Sequence, residues 1–233
     1  MWLDGIYMAE PFYVKWAAIF NETEAFDDIA NQFIWMESHV RDTETGLLYH
    51  GWDESRKAVW SKTTGHSPYF WARAMGWYGM ALVDVLQWFP EWHQKRQNII
   101  DILKRYSVAV MKVQDDETGL WWDVLNFPNR TGNYLESSAS CMFVYTFAKG
   151  VRTGYLPSDP YLSAAKKGYE GITKYFIEND VNKGILVLNS TVLVSSLDKD
   201  GTYDYYVKQK VVKNDPKGVG AFILSSSEIE LLS

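Results

Sequence analysis

An all-α fold, in which inner and outer helices alternate in an α/α toroid or solenoid, is predicted by three features of the 233-residue sequence. A turn motif repeats. Some segments carry a narrow apolar seam, and others are apolar on nearly every face. The motif is Thr43-Glu44-Thr45-Gly46-Leu47-Leu48-Tyr49, which returns as Asp116-Glu117-Thr118-Gly119-Leu120-Trp121-Trp122 and, blurred, as Asn182-Lys183-Gly184-Ile185-Leu186. Its Gly suits a tight turn or a helix C-cap, where positive φ is common.

Before each turn runs an outer helix. Phe26, Ile29, Phe33, Met36 and Val40 mark the first seam, and Ile99, Leu103, Tyr106, Val110 and Val113 the second. The third is Leu162, Ala165, Tyr169, Ile172 and Phe176, with Pro160 as its first residue behind an Asp159 cap. Steps of three and four place each set on one face. Inner helices are expected over Pro11–Phe20, Pro68–Leu86, Ser137–Val151 and Gly218–Leu232, because helices apolar on most faces are buried. The one β-like stretch, Ile185–Leu197, ends in the hairpin-turn sequence Asp198-Lys199-Asp200-Gly201 and reads as a small loop insertion. About four inner and three outer helices result, fewer than a ring of six pairs needs. Residues 1–233 are therefore read as a single domain, the carboxy-terminal portion of such a barrel, an expectation that fits the abrupt opening Met1-Trp2-Leu3-Asp4-Gly5.

Composition narrows the function classes. With 47% apolar and 22% charged residues the chain is ordinary for a globular domain, but 16% are aromatic. Large core fillers account for most of these; a groove that stacks on sugar rings would also need them. A net charge of −6 with no basic tract excludes a phosphate-tracking surface, so no nucleic-acid partner is expected. No run of 18 apolar residues exists, so no membrane partner is expected either. A single Cys141 rules out an internal disulfide and reads as a small core residue. His39, His66 and His93 lack paired ligand spacing, so neither a metal nor a cofactor is predicted.

In a toroid the turns entering the inner helices converge on a central funnel, so polar groups and Trp residues there are the candidates. Asp4 beside Trp2 is either a helix cap or a proton donor. His50 follows the repeated turn, where a loop His is more often simply polar. Arg73, between Trp71 and Trp77, stands in an otherwise apolar helix. A buried guanidinium there requires a carboxylate, from the protein or from a ligand, and the sequence leaves both open. Glu136 and the serines after it read as a cap, and Lys217 as exposed.

The blocks MWLDGIYMAEPFYVKWA, LLYHGWDES, HSPYFWARAMGWYGMAL, YLESSASCMFVYTFAKGVR and NDPKGVGAFILSSSE resemble, in order, those of the unsaturated rhamnogalacturonyl hydrolases, glycoside hydrolase family 105. The resemblance implies an (α/α)6 barrel of six helical hairpins that acts on 4,5-unsaturated galacturonic acid linked to rhamnose, the product a lyase leaves from the rhamnogalacturonan of pectin. It further implies one Asp serving as acid and then base. Asp4 is similar to that residue, His50 to one contacting the sugar, and Trp71, Arg73 and Trp77 to the pocket wall, with Trp2 adding stacking area. The implied partner is an unsaturated uronic-acid oligosaccharide. The family's amino-terminal helices, with a second active-site Asp, have no counterpart in this sequence, so an exposed edge is expected that could support association. A cytoplasmic location is expected. The related unsaturated glucuronyl hydrolases, sugar epimerases of the same architecture and a non-catalytic helical scaffold are the rival readings.

Overall fold

The structure, a computed structural model, describes residues 1–232. Eight helices dominate them. The inner row is α1 (Gly5–Phe20), α3 (Ala72–Leu86), α5 (Ser137–Arg152) and α8 (Pro216–Glu230), each packed on the next. The outer row is α2 (Ala25–Val40), α4 (Arg96–Lys112) and α6 (Ser158–Tyr175). Among these, α2 lies on α1 and α4, α4 on α3, and α6 on α5 and α8. Burial follows the two patterns. Every residue of α5 from Ser137 to Gly150 is buried, whereas α2 buries Phe26, Ile29, Phe33, Met36 and Val40 and exposes the opposite face.

The repeated turn has the same wiring in both copies. Asp42 accepts from the backbone N–H and hydroxyl of Thr45 at 2.8 and 2.6 Å, and Asp115 from those of Thr118 at 2.8 and 2.7 Å. Leu47 and Leu120 then donate to the two threonine hydroxyls. Gly46 and Gly119 take φ of 76° and 75°, which favours glycine. Gly119 is needed twice over, since a Cβ there would meet the Lys167 carbonyl oxygen at 2.5 Å. The residues that follow the turn, Leu47 and Leu48 in one copy and Leu120 and Trp121 in the other, are fully buried.

Three expectations are corrected. α1 begins at Gly5 and carries Pro11 inside it, so that Pro removes one helical donor instead of opening the helix. The Ile185–Leu197 segment is not one strand. β2 (Ile185–Leu188) pairs with β1 (Ile177–Asp180) through the third copy of the turn, and Ser190, at φ 62°, then breaks the strand. β3 (Thr191–Val192) pairs with β4 (Val211–Val212), and the short α7 (Tyr203–Val207) lies between them, so Asp198–Gly201 is not a hairpin turn. The break lets this segment serve the inner row: Ser137 donates to the Ser190 carbonyl and the Val192 N–H to Glu136. On α6 the buried stripe runs through Tyr161, Ala165, Gly168 and Ile172, while Leu162 and Tyr169 sit at its half-buried edge. Gly168 is close to Val144 and Trp121, because small residues let α6 approach α5.

α1 exposes Met8, Phe12, Trp16, Ile19 and Phe20, and three of these rings form a ladder, with Phe12–Trp16 and Trp16–Phe20 centroids 6.2 and 4.1 Å apart. A patch of this kind marks a contact surface. On the opposite face, Glu10 is 5% exposed and its Oε2 has no hydrogen-bond partner. Burial, aided by the nearby Asp28 charge, raises its carboxyl from an ordinary value of 4.5 to about 7. Between those values the folded chain keeps a proton that the unfolded chain has released, so stability contributed here is lost as pH rises through that window. Glu10→Gln is therefore expected to match the parent near pH 4 and to be more stable by about 1–3 kcal/mol at pH 8. Urea unfolding at both pH values measures it; an equal difference at each would refute the account.

Candidate active site

Short bridges stitch the segments that enter the inner helices into a belt. Trp2 pairs with Gly51, Trp52 with His66, Trp71 with Val124 and Trp122 with Leu135. The Leu3 N–H donates to the His50 carbonyl at 2.8 Å, which sets Asp4 beside His50. The Ala72 N–H donates to the Asp123 carbonyl, which sets Trp71 beside Asp123.

Of the carboxylates at the starts of these helices, Glu136 caps α5 by accepting from the Ala139 N–H at 2.7 Å, and Asp215 caps α8 by accepting from the Lys217 N–H at 3.0 Å. Asp4 stands at the same position on α1 and makes no cap hydrogen bond. Its Oδ1 is buried without a hydrogen-bond partner, 3.3 Å from His50 Nε2, which is likewise unpartnered. This approach is not a well-formed bond. His50 is fully buried, ringed by Trp2, Trp71 and Tyr206, and its Nδ1 lies 2.8 Å from the Tyr206 hydroxyl.

Arg73 is 2% exposed, with its guanidinium carbon 5.9 Å from the Trp71 ring centre. Its Nε donates to Ser138, and its Nη2 donates to the Val192 carbonyl and, at 3.5 Å, to Glu136. Of the two carboxylate sources open in the sequence, the protein itself supplies one. Nη1 takes no part in these bonds. Trp77 is not gathered with the others: further along α3, it stacks on Tyr7 of α1 at 4.6 Å. Deeper still, Lys149 pairs with Asp84 at 2.7 Å, and the Tyr145 hydroxyl donates to the same oxygen. Burial, with the Asp84 charge, pushes the Tyr7 phenol up to about 12. Cys141 is buried, and Lys217 is paired with Asp215 at 2.8 Å. No group of three His, Cys, Asp or Glu is placed to hold a metal among the described residues. A cavity of about 820 Å³ lies elsewhere, between the 113–118 turn and Trp122, Asn126 and Asn129, and none of the converging residues lines it.

Sequence reasoning missed Asp123 and Tyr206. Asp123 is fully buried and accepts from the Trp71 indole N–H at 3.0 Å. Burial, with Glu136 nearby, raises its carboxyl well above the ordinary range. A signal existed: Asp123 occupies in the second turn repeat the place that His50 occupies in the first. Nothing in the sequence singles out Tyr206.

A model described as Glycosyl Hydrolase Family 88 matches residues 1–232. The chain belongs to the glycosyl hydrolase family 88 and 105 group. A glycoside hydrolase of family 105 from C. acetobutylicum superposes with a TM-score of 0.95 at 45% identity, over 99% of this chain and 65% of that one. The fold is thus an incomplete (α/α)6 barrel, and the chain spans under two thirds of that family member's length. Protein Atu3128 of Agrobacterium fabrum is 34% identical over 236 residues, 97% of this chain and 100% of that one. The unsaturated rhamnogalacturonyl hydrolase YesR of Bacillus subtilis is 31% identical over 140 residues, 60% of this chain and 38% of that one. No described helix of this family member is long and apolar enough to cross a membrane.

Proposed function

We propose that the chain carries the activity of an unsaturated rhamnogalacturonyl hydrolase, removing 4,5-unsaturated galacturonic acid from lyase-cut rhamnogalacturonan. The observation that carries this reading is the Asp4 carboxylate, which stands at a helix start yet caps nothing and meets His50 between Trp2 and Trp71. Asp4 delivers its proton to the ring's vinyl-ether double bond. Now ionised, it takes a proton from the water that adds to the neighbouring carbon. The resulting hemiketal opens the sugar ring and releases rhamnose, so no second carboxylate is needed at the anomeric carbon. Trp2 and Trp71 supply the ring-stacking wall beside Asp4, and Trp77, further along α3 against Tyr7, extends it. Arg73 anchors the uronate carboxylate through the terminal nitrogen outside its protein bonds, and His50 acts from beneath the sugar.

The experiment is a spectrophotometric assay of the purified chain on lyase-generated unsaturated rhamnogalacturonan disaccharide, beside a glucuronyl disaccharide. Hydration destroys the ultraviolet absorbance of the double bond, so a faster fall with the first substrate is expected. Turnover of the glucuronyl substrate alone would reassign the substrate, and binding without turnover of either would make the chain a sugar-binding scaffold.

A further inference from the structure

We propose that Tyr206 is a positioning residue for Asp4, acting through the tautomer of His50; this rests on the reading of Asp4 as the group that protonates substrate. Tyr206 stands on α7, in the insertion between β3 and β4, and its side chain is fully buried. The Thr202 hydroxyl caps α7 by accepting from the Tyr205 N–H, and the Tyr206 ring packs 6.0 Å from that of Trp71. Its hydroxyl has a single hydrogen-bond partner among the described residues, His50 Nδ1 at 2.8 Å. Burial, with the Asp123 charge close by, holds this phenol well above its ordinary pKa, so it keeps its hydrogen.

That hydrogen decides the tautomer. If His50 carried its proton on Nδ1, the Tyr206 oxygen would accept it and the buried Tyr206 hydrogen would be left with no acceptor, which costs about 1–3 kcal/mol. With the phenol donating to Nδ1, the Tyr206 hydrogen has its acceptor, and the imidazole proton sits on Nε2, facing Asp4 Oδ1 at 3.3 Å. Asp4 needs such a donor when ionised, after its proton has gone to the substrate carbon and before it accepts one from water. An acid that must next serve as base is oriented by the His50 N–H, and the insertion supplies the hydroxyl that keeps that N–H in place.

Nitrogen-15 NMR of the imidazoles tests this. The chain has 4 His, and the His50 signals are those absent from His50→Gln. The parent is expected to show His50 protonated on Nε2, and Tyr206→Phe a shift toward the Nδ1-protonated form. On the disaccharide, Tyr206→Phe is expected to lower kcat about tenfold or more while KM stays within about twofold. A merely structural role would lower the melting temperature and leave the tautomer alone. A parent His50 protonated on Nδ1, or a Phe variant with parental tautomer and kcat, would overturn the proposal. The tautomer is read without substrate, so an inactive parent chain would count against the hydrolase reading and not against this one.

Discussion

Asp4→Asn is expected to reduce kcat by about 100- to 10,000-fold while leaving KM nearly unchanged, because the reaction needs a carboxylic acid to hand a proton to carbon. Asn keeps the shape and leaves an oxygen or nitrogen near His50 Nε2, so packing is largely conserved. The fold should scarcely respond, since the Asp4 side chain caps nothing and makes no hydrogen bond. Near-parental turnover in this variant would assign the chemistry to another group. Asp123 would be the first to examine, because it is buried and its carboxyl is raised well above the ordinary range.

The second large effect falls on Arg73, where structure and function compete for one guanidinium. Arg73→Ala is expected to cost about 3–5 kcal/mol, because Glu136 would stay buried with its charge uncompensated. For a chain of this length that lowers the melting temperature by about 6–20 °C. Removing both charges in Arg73→Met with Glu136→Gln should recover most of the loss, as neutral replacement of a buried pair commonly does. The double variant separates the two roles. If Arg73 also anchors the uronate, the folded double variant should lose roughly 10- to 100-fold in kcat/KM. Parental kcat/KM would leave Arg73 a purely internal ion pair, and an Arg73→Ala variant of parental stability would remove the ion pair from the account.

Much of this molecule can be read locally. Helix faces follow from apolar spacing over a few turns, which is why the seams of α2 and α4 and the buried length of α5 stand out in the sequence. The turn motif is equally local, since Asp42 and Thr45, or Asp115 and Thr118, close their hydrogen bonds within a few residues. Where a choice depends on distant partners, local rules misplace it. The hairpin expected at Asp198–Gly201 forms instead at Val181–Gly184, and the residues after Ser190 turn aside to meet Ser137 and Glu136.

The candidate site divides in the same way. Sequence alone determined the all-helical class, the inner and outer rows, the burial of Cys141 and the choice of Asp4, His50, Trp71 and Arg73 for attention. Asp4, Glu136 and Asp215 look alike as helix starts. Only packing distinguishes Asp4: Glu136 is consumed by Ala139, Val192 and Arg73, and Asp215 by Lys217. Only packing brings Tyr206 to His50 across 156 residues. Periodicity and turn bonds are determined within a helical turn or two, whereas the partner of a buried polar atom is set by which loops close over it, and no short stretch of sequence contains that information.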